Sequence, residues 1–528
     1  MTVRRLEIKK EVYRDSITML KISSELARFE GVIQAAAVMA TQLNKKILGD
    51  IGFTGPDVDK ARTDDMIIAI EATEQKFLDQ ALLKADELLS ARAPTTSAGK
   101  TFPKTLDGAL QEIRDANMVV ISVPGQFAKR EALNALNKGL NVFLFSSNVK
   151  IDDEFELKRL AISRNLLMMG PDCGTSIINN VVLGFGNVLN PGPVGIVSAS
   201  GTGLQQVSTL LDSKGVGISQ GIGTGGNDLS DRVGGLMMIE GIRLLDRDPQ
   251  TKVIVLVSKP PSTNTAKKVI GEASKCSKPV IVNFLGSIQE LIDGGNCVNA
   301  FTLDEAANLA CKELGMEMPE MSRGAAQQEV RERVIASESE RLAASQKYVR
   351  GLYSGGTLCY EAQIVVKPLL GEIASNAPLV KTMWVDGGAE SVVGHTCVDM
   401  GAEEFVVGRA HPMIDYTLRK ARILREARDL EVAVVLLDVL LGYGSNPDPA
   451  SELASAISEA KRIASSDGRY LCVVASVIGT RGDPQGIENQ ERILRDVGVI
   501  LEPSNAAAAR TAAGIALREK RVTKSYEQ

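Results

Sequence analysis

The 528-residue sequence predicts a multi-domain α/β protein built on parallel, doubly wound sheets. Three observations lead there. Short runs rich in Val, Ile and Leu alternate with helical patterns of about 10–15 residues, the rhythm of βαβ units whose strands are buried on both faces. Glycine reaches 48 residues, about 9% against a usual ~7%, and supplies tight turns between such strands. At roughly 150 residues per domain the length corresponds to three or four domains.

Hydrophobic residues at 44% and charged residues at 24% sit near the globular average, so each domain can bury a core and a fibrous or disordered chain is excluded. Against 65 acidic residues stand 60 basic ones, a net charge of −5. With no long Lys/Arg block, nucleic acid is not the expected partner. Aromatics make up 4%, with one Trp, too few for the stacking faces of a single-strand nucleic-acid platform. Seven scattered cysteines without a CxxC pair read as a reduced, intracellular set, neither a disulfide framework nor a zinc site. The charged start MTVRRLEIKKEVYRDS offers no signal peptide, and no run reaches the roughly 18 apolar residues of a membrane span. A cytoplasmic protein that does not engage a membrane is expected.

Along the chain, residues 1–105 read as an α+β region and linker. An amphipathic helix spans Ser16 to Glu30, Val32 to Met39 is a short apolar run, Asp64 to Leu89 is helix-forming and charged, and the Ala/Pro/Thr/Ser-rich stretch 90–105 is the linker. From 106 to 190 the βαβ rhythm sets in: helix DGALQEIRDA, strand 118–124, helix 127–138, strand 141–146, helix 153–164 and strand 166–170. A Pro/Gly cluster at 190–193 marks the next boundary. The unit 191–317 restarts with strand, Gly turn and helix in VGIVSASGTGLQQVSTLLDSKG, followed by strands KVIVLVSKPP and KPVIVNFLG and helix FTLDEAANLACKEL. The polar stretch 318–346 reads as a connector with partial helix. The unit 347–528 opens with VRGLYSGGTLCYEAQIVVKPLL and runs through MWVDGG, strand 432–442, helix 449–464, strand LCVVASVIGT and a closing helix near 505–518. VSASGTGLQQV and YSGGTLCYEAQ share a strand–Ser/Gly/Thr–helix pattern, which suggests duplicated domains.

The elements fit for chemistry are the turns at strand carboxyl ends, where ligands of open α/β sheets collect. In SASGTGLQQ the free N–H groups of a helix start form an anion site. Gly201 and Gly203 let backbone approach a phosphate, and Ser200 and Thr202 add hydroxyls, although a Walker A ending is absent. A capped turn with nothing bound is the plain alternative. Gly442, Gly444 and Ser445 form a second such turn ahead of a helix starting near Pro449, with Asp438 in the preceding strand either paired or near its carboxyl end. Gly355, Gly356 and Thr357 in SGGTLC form a third. His411 lies with Arg409, Asp415 and Arg419 in GRAHPMIDYTLRKAR, after a strand EEFVVG and before a helix opening at Pro412. There Arg409 could clamp a carboxylate or phosphate and His411 could serve as acid–base. His395 reads as structural, and MGPDCGTS as a turn at a domain junction. Two histidines without HExxH or clustered cysteines give no dedicated metal site.

The motifs MGPDCGTS, GIVSASGTG followed by GIGTGGNDLSDRVGG, SKPP, GLYSGGTLCYEA, VGRAHPMIDYTLR and LLDVLLGYGSNPDPA, in this order, resemble the FdrA family of acyl-CoA synthetase-like proteins over residues 10–520. Residues 106–310 are similar to the α subunit of succinyl-CoA synthetase and 346–520 to the CoA-ligase domain of its β subunit. The resemblance implies a Rossmann-like, CoA-binding-type domain and two flavodoxin-like domains. It also implies a phosphate pocket between two helix N-termini, with Ser200–Gly203 and Gly442–Ser445 as the matching turns. Three departures stand out: no His follows KPVIVNFLG where that enzyme carries its phosphohistidine, no ATP-grasp domain is present, and GFTG at 52–55 matches the CoA loop in letters only. By this resemblance the chain is one subunit of an oxamate carbamoyltransferase type of enzyme in purine and allantoin nitrogen catabolism. That reaction converts oxalurate and phosphate to oxamate and carbamoyl phosphate, with Arg409 on the substrate carboxylate, His411 as acid–base and Asp415 beside them. An acyl-CoA synthetase with a separate nucleotide-binding subunit is the alternative, and a non-catalytic scaffold the third. Implied ligands are phosphate and carbamoyl phosphate, with CoA possible and no firm cofactor. Other subunits in a homo- or hetero-oligomer are the expected partners.

Overall fold

The computed structural model describes residues 2–12, 14–90, 102–286, 295–316, 320–386, 394–407 and 409–518. Most of the expected 90–105 linker, part of MWVDGG and much of the loop after KPVIVNFLG lie outside them. The chain forms two compact units, 1–112 together with 401–415, and 113–400 together with 416–528.

The first unit is a three-stranded antiparallel sheet with Met66–Ala72 in the middle, Val3–Lys9 on one side and Val32–Met39 on the other. Met66, Ile68 and Ile70 pack against Met19, Ile22 and Leu26 of helix Ser16–Ala27 and against Leu78 and Ala81 of helix Gln75–Ser90. On the opposite face Ile67 and Ala69 meet Leu48, Phe53 and Val58 around the short helices Gln42–Asp50 and Pro56–Lys60. The helix expected over 64–89 is therefore a strand followed by a helix. MIIAIEA is buried on both faces, so it lacks the period-2 alternation that marks a half-buried strand. Likewise EEFVVG is not a strand, because Glu403–Val406 is a short helix, and the helix expected from Pro412 begins at Thr417.

The second unit holds three sheets. Met118–Ile121, Asn141–Leu144 and Met168–Met169 form a small parallel one. The seven-stranded sheet carries Pro191–Ser198 at its centre, flanked by Ile218–Gly223 on one side and by Val253–Ser258, Val280–Phe284 and Cys297–Asn299 in turn on the other. These five strands are parallel. Counted in chain order they run 2-1-3-4-5, the flavodoxin-like arrangement. An antiparallel hairpin, Thr175–Ile178 with Val181–Gly184, extends this sheet beyond Ile218–Gly223. Pairing thus crosses the boundary expected at 190–193.

The six-stranded sheet is wholly parallel and repeats the scheme around Tyr348–Tyr353, with His395–Asp399 and the short Ile373–Ala374 on one side and Val432–Leu440, Cys472–Ile478 and Ile500–Glu502 on the other. In each large sheet the first long strand is central and runs directly into a helix, Gly201–Ser213 in one and Gly356–Leu370 in the other. Both helix starts therefore lie at the carboxyl end of the strand where the winding direction reverses. The polar connector contains the 21-residue helix Glu320–Glu340. No helix among the described residues is long and apolar enough to cross a membrane.

Candidate functional site

The two helix starts meet. Ser200 caps Gly201–Ser213, its Oγ accepting from Gly203 N at 2.9 Å. The same hydroxyl donates to Thr357 Oγ1, in the first turn of Gly356–Leu370, at 2.6 Å. Gly355 precedes that turn with no side chain, and a Cβ there would lie 2.8 Å from Thr202 Cγ2 and Oγ1. The first turn of each helix leaves amides without an intrahelical partner. Those of Gly201, Thr202, Gly356, Thr357 and Leu358 find no acceptor among the described residues. Two helices of 13 and 15 residues thus turn their positive ends and open amides toward one place.

A buried ion pair holds the second of these turns. Asp438, near the carboxyl end of Val432–Leu440, accepts from Ser354 N at 2.9 Å, from Ser354 Oγ at 3.1 Å and from Gly355 N at 2.9 Å. Arg419 Nη2 closes the set at 2.9 Å, and neither side chain is exposed to solvent. Since an isolated carboxylate is costly inside a sheet, the pairing explains how Asp438 stands in an apolar strand.

Two charged groups flank the first turn of Gly356–Leu370. Lys259 follows strand Val253–Ser258, and Asp399 ends strand His395–Asp399. The Lys259 ammonium lies 2.7 Å from where a Cβ on Gly356 would stand, and Asp399 Oδ2 is closer still. Asp399 is 6% exposed. In the sequence Lys259 stands out only within SKPP, and Asp399 belongs to none of the motifs. The signal present was a charged residue closing each apolar strand.

The expected pairing of Ser200–Gly203 with Gly442–Ser445 is corrected, because the turn that meets Ser200 is 354–357. The backbone of Gly442 is engaged by Gln485, which accepts from its N at 3.0 Å and donates to its O at 2.9 Å. Tyr443 and Gly186 exchange backbone hydrogen bonds, and Gly444 packs on Phe185. Ser445 Oγ reaches back to Leu441 O. The helix that follows is capped by the Asp448 carboxylate and has Glu452 in its first turn, so negative charge already faces its positive end.

Arg409, His411 and Asp415 do come together, in the first unit. Arg409 donates to Asp415 at 3.0 Å and to the fully buried Asn44 at 3.2 Å. Its guanidinium therefore fastens 401–415 to Asn44. His411 Nδ1 accepts from Met413 N at 3.2 Å within its own turn. His395 starts the strand that Asp399 ends, so it lies at the amino end of the parallel strands, opposite the carboxyl end that carries the 354–357 turn. Its Nδ1 accepts from Val349 N. Burial, and then the neighbouring Arg350 charge, push its pKa down to about 4, which keeps the imidazole neutral. Cys173 is buried beside Ser176, and burial pushes its thiol up to about 11, an inert environment.

Comparisons with known proteins match two separate stretches of the chain. Residues 1–104 match the family of the AllF heavy metal-associated domain, and residues 352–515 match the CoA-ligase family. Over 515 residues, 98% of either chain, the protein is 41% identical to the uncharacterized protein YahF of Escherichia coli. It is 34% identical over 147 residues to subunit alpha 2 of the ADP-forming succinate–CoA ligase of Archaeoglobus fulgidus, covering 27% of this chain and 50% of that relative. The apo dinucleotide-forming acetyl-coenzyme A synthetase 1 of Ca. Korarchaeum cryptofilum covers 80% of this chain and 87% of its own at 17% identity, with a TM-score of 0.29, too low to define a common fold. The heavy-metal description finds no support in the residues. The first cysteine is Cys173 and the first histidine His395, so 1–104 lacks the thiolate and imidazole donors of a soft-metal site. No group of three His, Cys, Asp or Glu converges among the described residues.

Proposed function

The chain belongs to the family of YahF, and from that footing we propose that it is an acyl-CoA synthetase-like enzyme subunit of the CoA-ligase type, binding the phosphoryl group of phosphate or an acyl phosphate between two helix N-termini. The convergence of Gly201–Ser213 and Gly356–Leu370, joined by the Ser200–Thr357 hydrogen bond, carries this reading. Open amides and hydroxyls suit the non-bridging oxygens of a phosphoryl group, and Lys259 adds a compensating charge. Exchange among phosphate, a carboxylate and the thiol of CoA places negative charge on phosphate and acyl oxygens, which such donors stabilise. Partner subunits supply the nucleotide in this scheme.

A second reading is carbamoyl transfer of the oxamate type, in which phosphate attacks a carbamoyl group directly. It is favoured by the sequence, in which no His stands between strand Val280–Phe284 and helix Leu303–Glu313, and by His395 starting, not ending, its strand. In the carbamoyl reading Arg409, His411 and Asp415 remain the expected carboxylate-binding and acid–base set, with Arg409 hydrogen-bonded to Asp415 and Asn44.

Thermal stabilisation of the purified protein tests both, using phosphate, acetyl phosphate, carbamoyl phosphate, CoA and ATP separately. At a concentration about 100-fold above Kd a ligand adds about 2.7 kcal/mol. Stabilisation by CoA together with phosphate supports the ligase type, and stabilisation by carbamoyl phosphate but not CoA the transferase. Loss of the phosphate effect in Thr357→Val locates it at the paired helices. No response to any of the five would overturn the proposal for the chain by itself.

A further inference from the structure

We propose that Asp399 is a phosphoryl acceptor, carrying the phosphoryl group as an aspartyl phosphate at the paired helix N-termini. The inference rests on the reading of that pocket as a phosphoryl site and adds a covalent intermediate to it.

Among the described residues the nucleophiles at the pocket are the hydroxyls of Ser200, Thr202 and Thr357 and the carboxylate of Asp399, while the nearby Cys359 thiol is fully buried and kept protonated by that burial. Chemistry separates them. A relay between a phosphoric anhydride and an acyl phosphate needs an intermediate of comparable transfer potential, or the phosphoryl group stops where it lands. Phosphoserine and phosphothreonine are low-energy esters, and either would be a dead end. An aspartyl phosphate is a mixed anhydride of the same class as the acyl phosphate it would exchange with.

Geometry selects the same residue. Asp399 closes a parallel strand, so it stands where ligands of such sheets gather. Its backbone is fixed by Asn376, which accepts from Asp399 N and donates to Asp399 O, both at 2.9 Å. Its carboxylate lies against the first turn of Gly356–Leu370, in space that any Cβ on residue 356 would occupy, with the Lys259 ammonium on the same spot. The residue is buried. A phosphoryl group on Oδ2 would meet the open amides of Gly356, Thr357 and Leu358, and Lys259 would neutralise part of its charge.

In the step itself, Oδ2 attacks the phosphorus of an acyl phosphate. The bond from phosphorus to the acyl oxygen breaks, and the carboxylate leaves with the electron pair. One mixed anhydride replaces another, with no proton or electron left over. In the ligase direction a nucleoside triphosphate on a partner subunit loads Asp399. A substrate carboxylate then takes the phosphoryl group, and a thiol displaces phosphate from the resulting acyl phosphate.

The full-length protein is incubated with acetyl phosphate labelled in its phosphoryl group, quenched, and split into two halves. One half is treated with hydroxylamine, which cleaves acyl phosphates and spares phosphoesters. The other is reduced with borohydride, which turns an aspartyl phosphate into homoserine, and is mapped by peptide mass spectrometry. The expected result is a hydroxylamine-labile label and homoserine at position 399, absent in Asp399→Asn and slower to form in Lys259→Met. The mapping needs only the native chain, so a misfolded variant does not obscure it. A hydroxylamine-stable label at Ser200, Thr202 or Thr357 overturns the proposal, as does a label at another carboxylate. Phosphate stabilisation without any label also overturns it and leaves the pocket reading standing. Absence of both removes the pocket reading as well.

Discussion

Asp438 and Arg419 illustrate how much rests on single buried charges. Asp438 receives both amides of the 354–355 turn, the Ser354 hydroxyl and the Arg419 guanidinium. Asp438→Ala leaves Arg419 buried without its counter-charge, and a loss of about 3–5 kcal/mol is expected in urea unfolding. Glu361 supplies a pH test. Burial, and then the nearby Asp304 charge, push it up to about 7, although Leu303 N and Asn505 Nδ2 donate to it at 2.6 and 2.8 Å. A carboxyl whose folded pKa lies above its unfolded value binds a proton in the native state first. Its contribution is therefore complete below about pH 4.5 and lost as pH rises through about 7. A shift of this size is worth about 3 kcal/mol. Urea unfolding from pH 4.5 to 8 should show that decline in the native protein and lack it in Glu361→Gln.

At the scale of elements, the two helix N-termini set the site, and their approach depends on small residues. Gly355→Ala drives a Cβ against the Thr202 side chain. Overpacking of this kind costs about 1–3 kcal/mol, and separating the helices should abolish phosphate stabilisation while near-native circular dichroism is retained. Much of this was legible in the sequence. Ser/Gly/Thr clusters straight after apolar strands at 198–203 and 353–357 announced two anion-competent turns, and the similarity between them announced two sheets wound alike. Their pairing was not legible. Ser200 and Thr357 are 157 positions apart, and the competing turn at 442–445 is likewise built on two Gly and a Ser. What separates them is Gln485 and Gly186 engaging the backbone at 442–443, a tertiary fact. Met66–Ala72 failed for the reason already visible in its packing, since apolar residues on both faces leave no period to read.

For the whole molecule, the sequence boundaries near 105 and 347 describe a linear string, whereas the chain crosses between its units. Residues 401–415 complete the unit begun by 1–112, with Arg409 on Asn44 as the tie. No period or composition marks that return, because it depends on tertiary contacts such as that of Arg409 with Asn44. It has a consequence for biosynthesis. The first 112 residues leave the ribosome well before their missing piece exists, and at about 5–20 residues per second the interval is roughly 15–60 s. During that time Asn44 lacks Arg409, and the nascent N-terminal unit is an unfinished body. Chains stalled after residue 400 should be cut readily by protease within 1–112, and chains stalled late enough for 415 to clear the exit tunnel should resist. Equal resistance would mean that the first unit closes without waiting.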